Sequence, residues 1–188
     1  MDISKLDKLI KPSGTMAISN KSRELKSQGK PVIGFGAGEP DFPSPQHVVD
    51  AAINAASDPK NHKYSPAAGL ESLREIIAKT TKEYSGFDIK SKNVIVSNGG
   101  KQSILTAFLS ILDSDDEVLI PSPYWTTYPE AVKIAGGNPV FIETEKDNNF
   151  KVTIDLLEKA KTSKSKMLVW CSPSNPTGVV YSKEEAEE

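Results

Sequence analysis

Val94-Ile95-Val96-Ser97-Asn98-Gly99-Gly100-Lys101-Gln102-Ser103 is the stretch whose reading decides the fold. Its three β-branched residues predict a short buried strand, Gly99-Gly100 breaks it, and Ile104, Leu105, Phe108 and Ile111 then recur at helical spacing. A strand that opens through glycines into a helix exposes backbone N–H groups at the positive end of a helix dipole. Such an arrangement holds anions, most often phosphate. The same residues also fit a plain tight turn, and other parts of the chain choose between the two.

On the C-terminal side a rhythm follows. Apolar runs near 93–97, 117–120, 138–142 and 167–171 alternate with helical patterns near 101–112, 125–135 and 153–161. Strand starts about 20 to 30 residues apart are the spacing of βα units around a mainly parallel sheet. Met167-Leu168-Val169-Trp170-Cys171 is apolar throughout, which predicts burial on both faces, with Trp170 in the core. The expected class is α/β.

On the N-terminal side, residues 1–14 read as a polar arm ending in Lys11-Pro12-Ser13-Gly14. A modest helix is expected over 15–28, stopped by Gly29, and a short strand at Val32-Ile33-Gly34-Phe35. Gly36 to Pro43 is too rich in Gly and Pro to be regular. Ser44 is placed as the cap of a helix with Pro45 at its first position and Val48, Val49, Ala52 and Ile53 turned inward. A further helix carries Leu70, Leu73, Ile76, Ile77 and Tyr84 on one face and ends at Gly86. Ser182-Lys183-Glu184-Glu185 is a capping box that announces one more helix, about one turn before Glu188. We therefore expect the sequence to be the front part of a longer protein.

Composition narrows the classes. The chain has 188 residues, 37% hydrophobic and 26% charged, a globular rather than a disordered balance. Net charge is −2 and the pI about 5.8, so nothing favours nucleic acid or an anionic membrane surface. Cys171 is the single cysteine, which excludes an internal disulfide and fits a reducing compartment. The first residues alternate in charge and carry no apolar signal core. A cytoplasmic setting is expected.

Familiar motifs fail. Gly34-Phe35-Gly36-Ala37-Gly38 starts like a dinucleotide fingerprint, but Glu39-Pro40 stands where its last glycine and helix belong. Gly100-Lys101 is followed by Gln102, not by the Ser or Thr of a P-loop. His47, His62 and the distant Cys171 give no metal-ligand spacing, so no metal is expected. What is left is three loops at the C-terminal ends of predicted strands, the edge where open α/β sheets bind ligands. They are the glycine turn, Pro121-Ser122-Pro123-Tyr124-Trp125, and Ser172-Pro173-Ser174-Asn175-Pro176-Thr177-Gly178. A phosphate seat, an aromatic plate and a proline-stiffened amide describe a pocket for a planar, phosphorylated, hydrogen-bonding ring.

These motifs stand in order with Lys11-Pro12-Ser13-Gly14-Thr15, with Gly36-Ala37-Gly38-Glu39-Pro40-Asp41-Phe42 and with Lys63-Tyr64 before Gly69. Together they resemble, essentially end to end, the fold type I pyridoxal-phosphate enzymes, specifically class I aminotransferases of the aspartate aminotransferase type. The resemblance implies a three-layer α/β/α fold with a mainly parallel sheet, incomplete at the C-terminus. Residues 1–45 would be an arm and part of a small domain, and 46–188 a large cofactor-binding domain. The implied cofactor is pyridoxal 5'-phosphate. Gly99, Gly100 and Lys101 would hold its phosphate, and backbone N–H groups carry more of that contact here because relatives often have a hydroxyl residue where Gly99 stands. Trp125 would stack on the pyridine ring, and Asn175 would donate to its phenolic oxygen. Tyr64 would reach the phosphate of a neighbouring subunit, which implies a homodimer with shared sites.

For the substrates, an amino acid and a 2-oxo acid, the resemblance implies that Gly38 lets the α-carboxylate approach the backbone, with Trp125 and Asn175 beside it. Thr15 and Lys101 match positions that meet a second carboxylate, and Lys11 a position linked in some relatives with prephenate. The Schiff-base lysine, the Asp on the pyridine nitrogen, the Tyr on the phenolic oxygen and the Arg for the α-carboxylate lie beyond Glu188 in relatives. No catalytic residue is therefore expected among these 188. The leading reading is amino transfer between L-aspartate and 2-oxoglutarate. Prephenate, aromatic and alanine aminotransferases are alternatives, as are a non-catalytic fragment and the sensing domain of a transcription regulator. Against the last stands the lack of a preceding helix-turn-helix or a basic patch.

Overall fold

Residues 4–188 are described in a computed structural model. In chain order the elements are α1 (Lys5–Leu9), α2 (Gly14–Ser27), α3 (Gln46–Ser57), α4 (Glu71–Ser85), α5 (Gly99–Ile111) and β1 (Glu117–Pro121). They continue with α6 (Thr127–Ile134), β2 (Asn138–Ile142), α7 (Ile154–Ala160), β3 (Ser165–Leu168) and α8 (Lys183–Glu187). The chain divides into two compact units. One is the described part of Met1–Ala17 with Gly100–Glu188, and the other is Ile18–Gly99.

The first unit is built on a parallel sheet of order β2-β1-β3. Glu117 to Pro121 face Asn138 to Ile142 residue for residue. Against β3 the register slips after Glu117, because Ser165 pairs with Glu117 and Met167 with Val118. The bulged Lys166 sends its ammonium to Asp116 at 2.7 Å, while Glu117 Oε2 accepts from Thr162 Oγ1 at 2.6 Å and Ser165 Oγ at 3.1 Å. Val118 and Ile120 are fully buried and join Phe108 and Leu112 of α5 and Ala131 and Val132 of α6 in one core. Leu119, on the opposite face of β1, is also buried. The central strand thus has the two-sided burial that its unbroken apolar sequence predicts. Because the strands are parallel, the loops after β1 and β3 leave the same sheet end.

Several expectations are corrected. Residues 93–97 form no ladder among the described residues. Val94 is extended and buried, but its N–H turns back to Ser91 O at 3.0 Å, Val96 N–H donates to Ala68 O at 2.9 Å, and Ile95 is exposed. Val32–Phe35 is likewise not a strand. β3 ends at Leu168, and Trp170 is 43% exposed rather than core, since β3 is the edge of the described sheet. Ser44 does not cap α3, which begins at Gln46 with Pro45 as its N-cap residue. The faces expected to turn inward on α3 and α4 are exposed at Val48, Ile53, Leu70, Leu73, Ile76 and Tyr84. Amphipathic spacing sets which side of a helix is apolar, not whether a neighbour covers it. Ile111 of α5 also faces outward. Other boundaries agree with the sequence, including the left-handed Gly86 that ends α4 and the capping box of α8.

Candidate active site

The loop after β1 is fixed by the end of β2. Ser122 N–H donates to Ile142 O at 2.9 Å, Ser122 Oγ donates to Glu143 Oε2 at 3.0 Å, and Thr144 Oγ1 donates to Ser122 O. Tyr124 then stacks on Phe141 with ring centroids 5.0 Å apart. That anchoring presents Trp125, whose ring meets Tyr128 edge-on at 5.5 Å. Burial comes first among the causes that push the Tyr124 hydroxyl above its ordinary range, followed by the Glu143 carboxylate. Burial and a hydrogen bond with Cys171 push Tyr128 up to about 12, so both phenols stay protonated at neutral pH.

Lys101, in the first turn of α5, places Nζ 5.8 Å from the Trp125 ring centroid. Lys101 also lines a cleft of about 580 Å³ in the first unit. Leu105, Tyr124, Thr126, Lys133 and Phe141 line it too, together with Lys11 to Gly14 of the arm. Thr15 follows Gly14 in the first turn of α2 and is exposed. Glu130 joins the arm to α6, since Oε2 accepts the Lys11 N–H at 3.1 Å and Oε1 the Lys133 ammonium at 3.0 Å.

Asn175 lies elsewhere. It is exposed on the loop after β3, where Gly178 N–H donates to Ser174 O and Ser174 N–H to Val179 O, both at 2.8 Å. It lines a smaller hollow of about 30 Å³ with Trp170, Cys171 and Tyr181, and Tyr124 is the wall shared with the large cleft. Gly99 has φ +77° and its N–H turns back to Ser97 O at 2.9 Å, and α5 starts at this residue. Gly38 and Tyr64 are exposed residues of the second unit.

The sequence reading quoted Tyr124 in its loop without giving it a role, and it missed Thr126, Glu130 and Lys133. Glu130 and Lys133 did carry a signal, an acid and a base one helical turn apart. Nothing local marked the arm as their partner.

The first unit is thus a parallel α/β sheet that carries an ammonium over an indole, with a cleft lined by Lys11, Lys101, Lys133 and Glu130. The description "Aminotransferase class I and II" matches residues 30–188, and the chain belongs to that family. It is 51% identical over 179 residues to the aspartate aminotransferase of Streptomyces avermitilis, covering 95% of this chain and 44% of that protein. It is 46% identical over 187 residues to the aspartate/prephenate aminotransferase of Nitrosomonas europaea, covering 100% of this chain and 47% of that one. Among solved structures, the aspartate aminotransferase from Thermus thermophilus with maleate superposes with a TM-score of 0.95 at 42% identity, over 100% of this chain and 49% of that one. The chain thus spans about half the length of these relatives.

Proposed function

We propose that the protein is a pyridoxal-phosphate-dependent aminotransferase that moves an amino group between a dicarboxylic amino acid and a 2-oxo acid, with L-aspartate and 2-oxoglutarate as the leading pair. The observation that carries this reading is Lys101, which lines the cleft and stands over Trp125. A cationic helix start beside an aromatic plate fits a phosphorylated aromatic cofactor, and the named relatives are aspartate aminotransferases.

When bound, pyridoxal phosphate supplies an electron sink that lets an amino group pass between carbon skeletons. This chain's residues bind and orient. Gly99, Gly100 and Lys101 would hold the phosphate, Trp125 would stack on the ring, and Asn175 would donate to the phenolic oxygen. Gly38 leaves room for the α-carboxylate, while Thr15 and Lys101 receive the second carboxylate. Tyr64, fully exposed in this chain, serves the neighbouring subunit of a homodimer. The division at residue 45 into arm with small domain and large domain, and a cytoplasmic setting, belong to the same proposal. Among the described residues no helix is long and apolar enough to cross a membrane.

The test is a coupled assay of the full-length protein loaded with pyridoxal phosphate, with aspartate and 2-oxoglutarate as substrates. Oxaloacetate formed in step with glutamate is the expected result, and its absence overturns the reading. A second acceptor, prephenate, is favoured by Lys11 on the cleft wall and by the name of the Nitrosomonas relative. Prephenate added in place of 2-oxoglutarate decides it.

A further inference from the structure

The arm meets α6 at a carboxylate whose two oxygens are both occupied. Glu130 sits in the first turn of α6, and its side chain is only 22% exposed. Oε1 accepts from Lys133 one turn along the helix, and Oε2 accepts from the main-chain N–H of Lys11, 119 residues away in sequence. An acid needed only to support its own helix is served by the first bond; the second reaches outside the helix. Beyond Lys11 the arm has little freedom. Pro12 fixes its own φ, and Ser13 caps α2 through Oγ, which accepts Met16 N–H at 3.3 Å, and through its carbonyl, which accepts Ala17 N–H at 3.0 Å. The segment Lys11–Gly14 is thus held at both ends, and it lines the cleft together with Lys101 and Tyr124. Burial works against the charge of Glu130, yet the Lys133 ammonium and the Lys11 N–H outweigh it and keep the carboxyl below its usual range.

We propose that Glu130 is a positioning residue: by holding the Lys11 main chain and the Lys133 ammonium it fixes arm residues 11–14 as a wall of the cleft and so sets its affinity for a dicarboxylate. The inference rests on the reading of that cleft as the substrate site. Glu130 touches no substrate itself. Without it the arm swings, Lys133 loses its partner, and the cleft loses the shape that matches two carboxylates at a set separation.

The experiment uses the full-length protein loaded with pyridoxal phosphate, as wild type, Glu130→Gln and Glu130→Ala. Hydrogen exchange of the peptide spanning residues 9–14 reads the Lys11 amide directly. Exchange about tenfold faster is expected in Glu130→Ala, the loss for one hydrogen bond to a charged group, with Glu130→Gln in between because it keeps a carbonyl acceptor. Calorimetric titration with maleate reads the cleft without turnover, and about tenfold weaker binding is expected in the same order. Steady-state kinetics should show the effect in KM for aspartate rather than in kcat, with KM for alanine unmoved. Unchanged exchange in Glu130→Ala overturns the proposal. So does faster exchange with unchanged maleate affinity, because the arm is then held without shaping the cleft. If the wild type transfers no amino group, the aminotransferase reading fails, while exchange and maleate binding still decide the role of Glu130.

Discussion

Single residues carry two kinds of constraint here. Gly69 has φ +95°, and a Cβ built there would stand 2.7 Å from the Val96 side chain. Its place in the sequence, just after Lys63-Tyr64, gave no hint of that close approach. Gly69→Ala should cost about 1–3 kcal/mol through left-handed strain and overlap, read as a lower denaturant midpoint at unchanged slope. Lys101 is constrained by charge instead. Under the aminotransferase reading, Lys101→Gln should raise KM for aspartate about tenfold or more by removing a charged hydrogen-bond donor. KM for alanine, which has no second carboxylate, should stay within about twofold of wild type on the same reasoning. Equal losses for both substrates would move Lys101 from the second carboxylate to the cofactor alone.

Elements hold these residues in place through β1 and α6. Val118, Ile120 and Val132 are fully buried, so Ile120→Ala should cost about 2–5 kcal/mol, the range for deleting such a side chain from a core that cannot collapse. Chemical denaturation of the full-length protein measures it. α6 also makes stability depend on pH through Glu130. A carboxyl held below its ordinary value of 4.5 stabilises the fold above that value, and the gain is lost as pH falls through the folded value. Glu130→Gln should therefore be less stable than wild type at pH 7, and the gap should shrink as pH falls below 4.5 and close below the folded value. A difference that does not shrink as pH falls below 4.5 would show that the charge of Glu130 is not what stabilises.

At the scale of the whole molecule the exposed area is the deciding quantity. A folded 20.4 kDa chain exposes roughly 8,800 Å², and two separate domains of half that mass roughly 10,600 Å². This chain exposes 14404 Å², with Ile33, Phe35, Phe42 and Tyr64 each more than four-fifths exposed. Large apolar side chains left exposed together mark a surface prone to association. A polypeptide of residues 1–188 alone should bind a hydrophobic dye strongly and associate on concentration. A soluble, dye-silent monomer of this length would mean that these faces need no cover.

Much was legible in the residues themselves. The spacing of apolar runs gave β1, β2, α5, α6 and α7 to within a few positions, since a period of 2 or 3.6 is a local property that survives without a neighbour. Glycines and prolines marked the turns that close them, and motif order was enough to indicate the family that residues 30–188 match. The covering of a face was not legible. Val94-Ile95-Val96 reads as a strand, but a ladder needs a second backbone; Trp170 reads as core, but burial needs a second layer. The site divides in the same way. Residue type and local spacing proposed Trp125 and Asn175, the family resemblance added Lys101, and only the fold set Lys101 over Trp125, put Asn175 in a separate hollow and joined Lys11 to Glu130. Sequence determines what a residue can offer; which partner it meets depends on contacts between residues far apart in the chain, and those exist only once the sheet and helices have packed.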